Sequence, residues 1–396
     1  MEAHITSEQI IRQVLIHVSV VGFATALSTR AADPIVPLIA TGLATDPKSV
    51  ALLSTAFAVP FALVQPVLGP VADVIGKTRL MIICLVILVA TMVAGAMAPN
   101  YEVLLASRIL GGMATGGIFP AALAAVGDLV PVAGRQVALG RYLSLVITGN
   151  LAGVAVAGLV GDLFGWRAVF ATIAGCGVVA LVSAFFGLRN VKRIETGPLD
   201  LSAVSANYRA ILTHPRAKFC YAAVFVEGLA VFGVFPFVAL LLLAAGEGRA
   251  SIAGLVLAGI SFGGIIYSIA VRSLLVRFQS SHLMLAGGTT AAIGLFIASL
   301  QPPWPVQVGA FLVLGFGFYT MHGGIQVQAT ELSSAARGAA VSLHSLFFFL
   351  GHAAGPVLYG IGFATIGATA TLSIGAAAVL GVGLMTWRFL GEGPSS

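Results

Sequence analysis

Several ionisable side chains lie inside long apolar stretches, where they could carry protons or grip a charged solute. Arg30 and Asp33 are three residues apart within Gln13–Ile39, on one face if that stretch is helical. Arg108 interrupts Val103–Val126, and Glu227 lies about ten residues into Ala217–Ala245. His322 and Gln326 fall one turn apart on the same face of Val306–Gln328. His344 and His352 lie in Ala339–Phe363. A charge inside a membrane span costs about 2.5–3.5 kcal/mol or more, so it normally faces a cavity and a partner. A carboxylate that meets a cation in one state and loses it in another changes its proton affinity, which is what proton coupling requires. Asp33 and Arg108 are the pair expected to do this. Each lies about six residues, roughly 9 Å, from the outer end of its span, and the two spans run in opposite directions. Arg30 competes with this scheme: it could hold Asp33 ionised throughout and leave Glu227 as the proton carrier.

Glu227, His322 and Gln326, polar groups inside apolar stretches, are candidate contacts for a solute, the glutamate favouring cationic or hydrogen-bond-donating groups. Asn150 and His352 are further candidates, although a buried histidine is as often a hydrogen-bonded packing residue. His344 reads as a structural residue near the inner interface. The seventh stretch is rich in phenylalanine (Phe219, Phe225, Phe232, Phe235, Phe237), and Phe347–Phe349 add a run later. Lipid is the ordinary place for such rings. If Phe232 and Phe235 face a cavity instead, they suit an aromatic or amphiphilic substrate.

The elements that must position these groups follow from composition. Of 396 residues, 59% are hydrophobic and 9% charged, with a mean hydropathy of +1.04. A soluble domain carries roughly 25% charged residues, so this chain cannot cover its apolar surface in water. The apolar runs are continuous over about twenty residues, which selects helices rather than the alternating strands of a barrel. Twelve spans are expected: Gln13–Ile39, Val50–Ala72, Leu80–Ala98, Val103–Val126, Val137–Gly161, Ala168–Leu188, Ala217–Ala245, Ile252–Val276, His282–Leu300, Val306–Gln328, Ala339–Phe363 and Ala368–Phe389. The first is read as a spanning helix, not a removable signal peptide. The longest connection, Arg189–Arg216, divides the chain into 1–188, a linker 189–216 and 217–396, and Leu199–Leu212 could form a surface helix there. With the N-terminus inside, fifteen of the twenty Lys and Arg residues fall at the cytoplasmic face and only Lys48, Arg167 and Arg249 outside. The net charge of +6 is therefore a topology signal and not a nucleic-acid patch.

The two halves repeat at an offset of about 202 residues. Pro34 falls on Pro236, and Gly149-Asn150-Leu-Ala-Gly153 falls on Gly351-His352-Ala-Ala-Gly355. The three cysteines give no disulfide framework and no metal spacing. Gly259-Ile-Ser261-Phe-Gly263 matches a nucleophile elbow but lies in an apolar span without the strand–turn–helix context. No Walker loop is visible, which points to an ion or substrate gradient as the energy source.

After the second span comes Gly69-Pro-Val-Ala-Asp73-Val-Ile-Gly76-Lys77-Thr-Arg79. It resembles, in type and place, the G-x-x-x-D-x-x-G-[RK]-x-[RK] signature of the major facilitator superfamily. Leu104–Gly112, with Arg108, is similar to that family's fourth-span motif. Gly149–Gly158 partly resembles the fifth-span motif of its proton-driven exporters, with Val154 in place of proline and Ala157 in place of a glycine. The resemblance implies an all-α membrane protein of twelve transmembrane helices in two pseudo-symmetric six-helix bundles. It implies a cytoplasmic latch built from Gly69, Asp73, Gly76, Lys77 and Arg79. It also implies a multi-pass protein of the bacterial inner membrane, expected to be a monomer, that moves a small molecule against protons without a cofactor. Within the family it looks most like the drug:proton antiporters and sugar-efflux permeases. Proton-coupled uptake of a nutrient is the alternative, and a membrane enzyme or receptor the reading from another class.

Overall fold

The computed structural model describes residues 7–130, 132–188, 201–333 and 336–390, with the side chains of 7–12, 69, 70, 73, 127–129, 132–137, 139, 140, 143, 201 and 203 outside the description. Among the described residues, twelve helical segments are long and apolar enough to cross a membrane. The first span joins α1 (Ser7–Thr29), a 3-10 turn (Asp33–Ile35) and α2 (Val36–Gly42). Then follow α3 (Pro47–Ile75), α4 (Lys77–Ala96), α5 (Tyr101–Leu129), α6 (Val132–Phe164), α7 (Trp166–Leu188) and a short linker helix, α8 (Leu201–Leu212). The second half comprises a seventh span made of α9 (Ala217–Phe232) and α10 (Phe235–Ala244), then α11 (Ala250–Arg277), α12 (Ser280–Ser299), α13 (Trp304–Glu331), α14 (Arg337–Thr365) and α15 (Ala368–Phe389). Large apolar side chains such as Ile269, Val276 and Val179 are exposed around the outside, as a lipid-facing surface requires.

The first and seventh spans are expected as single helices, and both are broken. Each break carries a proline, Pro34 and Pro236, at equivalent places in the repeat. Proline lacks an N–H and cannot continue the ladder. At the first break α1 ends at Thr29, and the Asp33 N–H turns back to the Arg30 carbonyl at 3.2 Å instead of bonding that of Thr29, so the carbonyls of the last turn, Ser28 and Thr29, are left for other donors. At the second, α9 ends at Phe232, and the Ala230 carbonyl in its last turn accepts the Tyr359 hydroxyl at 2.7 Å. Broken helices survive in a membrane only where protein groups re-satisfy the backbone.

Buried apolar residues form two clusters, one drawn from 14–188 and one from 211–390, with Ala250 joining the first and Ala51 and Val154 the second. The halves meet along two helix pairs, α3 with α14 and α6 with α11. The mouth beside α8 is here called the linker end and the opposite one the far end. At the linker end lies a cavity of about 510 Å3 lined by residues of both halves, Ala72, Phe119 and Leu123 from the first and Arg337, Ser342 and Ser345 from the second, with Tyr208 of α8. Toward the far end the halves are in contact.

Candidate functional site

The break in the first span brings two arginines and one acid together. Asp33, 2% exposed, accepts a hydrogen bond from the Ser54 hydroxyl of α3 and lies 3.7 Å from Nη1 of Arg30. Arg108, 1% exposed, enters from α5 and packs its guanidinium 4.2 Å from the centre of the Phe57 ring. Its Nη1 and Nη2 donate to the freed carbonyls of Ser28 and Thr29, at 3.3 and 3.4 Å. The expected Asp33–Arg108 pair is thus near in space but not bonded, and the broken helix explains why. Two carbonyls without amide partners take the guanidinium, and Arg30 is left to face the acid.

Arg30 links the halves. Its guanidinium lies 4.3 Å from the centre of Phe232 and 4.7 Å from that of Phe235, and its Nη2 is 3.4 Å from Nδ1 of His352. Phe232 and Phe235 are buried in the protein, not turned to lipid. A desolvated cation over an aromatic face gains about 2 kcal/mol. The Thr55 hydroxyl crosses the same interface to the Ala353 carbonyl at 2.7 Å.

In the second half, Glu227 is fully buried and shares a 2.8 Å hydrogen bond with Nδ1 of His322. His344 stands edge-on to His322 at 5.0 Å and is buried, with Nε2 unpartnered among the described residues. Its side chain thus packs inside the second bundle against His322. Phe318 and Phe348 flank His322, each 5.0 Å away, and both also touch Phe232. An aromatic path thus runs from Arg30 through Phe232 and Phe348 to His322 and Glu227. One oxygen of each acid, Oδ2 of Asp33 and Oε1 of Glu227, has no hydrogen-bond partner among the described residues. Oδ2 of Asp33 faces the Arg30 cation at 3.7 Å, whereas Oε1 of Glu227 can hold a proton or receive a donor from a ligand.

Other expected residues are not drawn into this cluster. Asn150 bonds the Val146 carbonyl of its own helix, and Gln326 is exposed one turn on from His322. Gly149 and Gly153 lie against the Phe23 and Leu27 backbone, and Gly351 and Gly355 against Phe225 and Gly233, so these small residues act in helix packing. Of the latch, Gly76 ends α3 with φ of 96°, and Lys77 and Arg79 open α4. The side chains of Gly69 and Asp73 lie outside the described residues. Ser54, Phe57, Phe318 and His344 are site neighbours that sequence reasoning did not assign. Only His344 carried a signal, as a histidine in an apolar span. No group of three or more His, Cys, Asp or Glu among the described residues is placed to hold a metal. At the far end, outside the spans, Arg249 beside Glu247 holds that carboxyl down to about 2.

The family profile described as Major Facilitator Superfamily matches residues 18–356. The chain belongs to the Major Facilitator Superfamily. It is a multi-pass membrane protein of a transporter family. This facilitator chain is 24% identical over 347 residues to the multi-drug resistance efflux pump PmrA of Streptococcus pneumoniae, covering 85% of each. It is 29% identical over 290 residues to YwfA, an uncharacterized MFS-type transporter of Bacillus subtilis, covering 70% of each. It is 21% identical over 361 residues to multidrug resistance protein 1 of the same organism, covering 87% of this chain and 90% of that one. A crystal structure of a bacterial homolog of the human lysosomal transporter Spinster, inward-facing and unoccupied, superposes over the whole of both chains with a TM-score of 0.69 at 17% identity. That likeness concerns the fold.

Proposed function

We propose that this facilitator exports a small organic amphiphile from a bacterial cytoplasm in exchange for protons, by alternating access. The observation that carries this is the pair of fully buried acids, one in each half: Asp33 with Arg30 and Ser54, and Glu227 with His322. Buried acids of this kind are where protons bind in membrane transport. The relative named as a multi-drug resistance efflux pump favours export over nutrient uptake. With the linker end cytoplasmic, as the basic residues indicate, the far end is closed to the outside and the cavity opens inward.

In this reading Glu227, His322 and the rings of Phe232, Phe318 and Phe348 receive the substrate, an aromatic molecule whose donor group bonds Glu227. Asp33 exchanges the proton. Its partner Arg30 is attached through Phe232 and His352 to the other half, so separation of the halves moves the cation away from the acid. The carboxylate then loses a stabilising charge on the side where a proton should bind. Arg108 holds the broken helix and fixes the position of Asp33.

The test is transport in inside-out vesicles. Cationic aromatic dyes should accumulate when the interior is acidified, and a protonophore should abolish the accumulation. Accumulation only in right-side-out vesicles would replace export with uptake.

A further inference from the structure

Asp162 stands at the far end of α6, and its carboxylate crosses to the other half of the molecule. Oδ1 accepts the Ala250 N–H at 2.7 Å and Oδ2 the Ser251 N–H at 2.8 Å. These are the first two amides of α11. The opening amides of a helix have no partner within it and carry the positive end of its dipole. Arg249, which precedes them, supplies no side-chain cap and bonds Glu247 instead. The start of α11 is therefore capped from the opposite half. One turn earlier, Gly158 provides the room: a Cβ there would collide with the Ala250 carbonyl and lie 2.9 Å from Cα of Ser251.

The sequence repeats this arrangement at the other mouth. Gly69-Pro-Val71-Ala-Asp73-Val-Ile-Gly76 and Gly158-Leu-Val160-Gly-Asp162-Leu-Phe-Gly165 agree at glycine, valine, aspartate and glycine, at an offset of 89. Gly76 and Gly165 both take positive φ, 96° and 82°, where their helices end. α3 runs toward the linker end and α6 toward the far end, so one pattern stands at both mouths. The facing helices correspond as well, α14 for α3 and α11 for α6. At the far end the acid-bearing helix touches the first turn of its partner. At the linker end, Ala72 of α3 and Arg337, Gly338 and Ala339 of α14 line the same cavity.

We infer that Asp162 is a positioning residue of the transport cycle: it caps α11 while the far end is closed, releases it when that end opens, and has Asp73 as its counterpart at the linker end. The inference rests on the alternating access proposed above. It adds an energetic consequence. Two latches of the same chemistry, one made as the other breaks, exchange like for like and leave the two states close in free energy.

The experiment measures distances between spin labels at Leu163 and Ala245 in the full-length transporter in lipid, with Cys84, Cys176 and Cys220 replaced by alanine. Asp162→Ala should lower the ratio of short to long far-end distances about tenfold, as loss of two charge-assisted hydrogen bonds at a half-exposed site implies. Asp162→Asn, which retains one acceptor, should give a smaller shift in the same direction and keeps the test valid if the alanine variant misfolds. Asp73→Ala should shift the ratio the other way, and the double variant should return toward the parent. An unchanged distribution in both Asp162 variants, while the parent still responds to substrate or to a pH gradient, would overturn the latch. If the parent itself never populates the long distance, alternating access fails and the latch fails with it.

Discussion

Glu227 of α9 and His322 of α13 share a 2.8 Å hydrogen bond in the interior of the second bundle, and the other glutamate oxygen is left without a partner. The arrangement offers a ligand an acceptor backed by an imidazole. Glu227→Gln keeps the shape and removes the charge. Affinity for cationic aromatic ligands should fall about tenfold or more, because a hydrogen bond to a charged group contributes about 1.5–3 kcal/mol. Neutral aromatic ligands should bind nearly as before. Dye-binding titrations on the purified protein check both.

Arg108 should matter for stability before it matters for coupling. Arg108→Ala leaves the Ser28 and Thr29 carbonyls without donors, at a cost of about 1–3 kcal/mol for each buried group. A marked fall in melting temperature is expected in detergent. Arg108→Lys, which can reach one carbonyl, should recover part of it. A variant that is fully stable but no longer responds to pH would instead restore the direct Asp33–Arg108 exchange.

Phe232 lies between the arginine of one half and the aromatic rings of the other. Phe232→Ala should therefore weaken both substrate binding and far-end closure, by about 3 kcal/mol or more in total, as for a buried aromatic deletion. Phe232→Tyr should spare both. Ligand affinity and far-end cysteine accessibility, measured on the same samples, separate the two effects.

Much of the fold was legible because lipid leaves few choices. Continuous apolar runs set the twelve spans, whose ends lie within about seven residues of the helices described. The repeat of Pro34 on Pro236 was visible, but the breaks were not read from it, since proline in a span kinks, breaks or is accommodated according to its neighbours. The acids and basic residues in the spans were found by type alone. The three-residue spacing already set Arg30 beside Asp33, but partners on other helices were not found, because hydropathy does not say which face of a helix turns inward. That His344 packs against His322 could not be read from its place in the span. Arg108 was matched to the nearest acid, whereas carbonyls freed by the break hold it. No pattern of types could show that demand for donors before the broken helix was seen.

Topology follows the same reasoning. The linker end should be cytoplasmic, with fifteen basic residues against three. A cysteine introduced at Asn207 on α8 should resist impermeant reagents in intact cells and react in inside-out vesicles. Strong labelling in intact cells would invert the orientation and turn the proposed exporter around.

Proton exchange at Asp33 is the claim on which the account rests. The direct measurement is proton release from liposome-reconstituted protein on addition of a transported dye, followed with a trapped pH indicator. The parent should release protons in step with dye uptake. Asp33→Asn should bind the dye with near-parent affinity, move it only down its gradient and release no protons. Dye-driven proton release that persists in Asp33→Asn would contradict the account and pass the coupling role to Glu227.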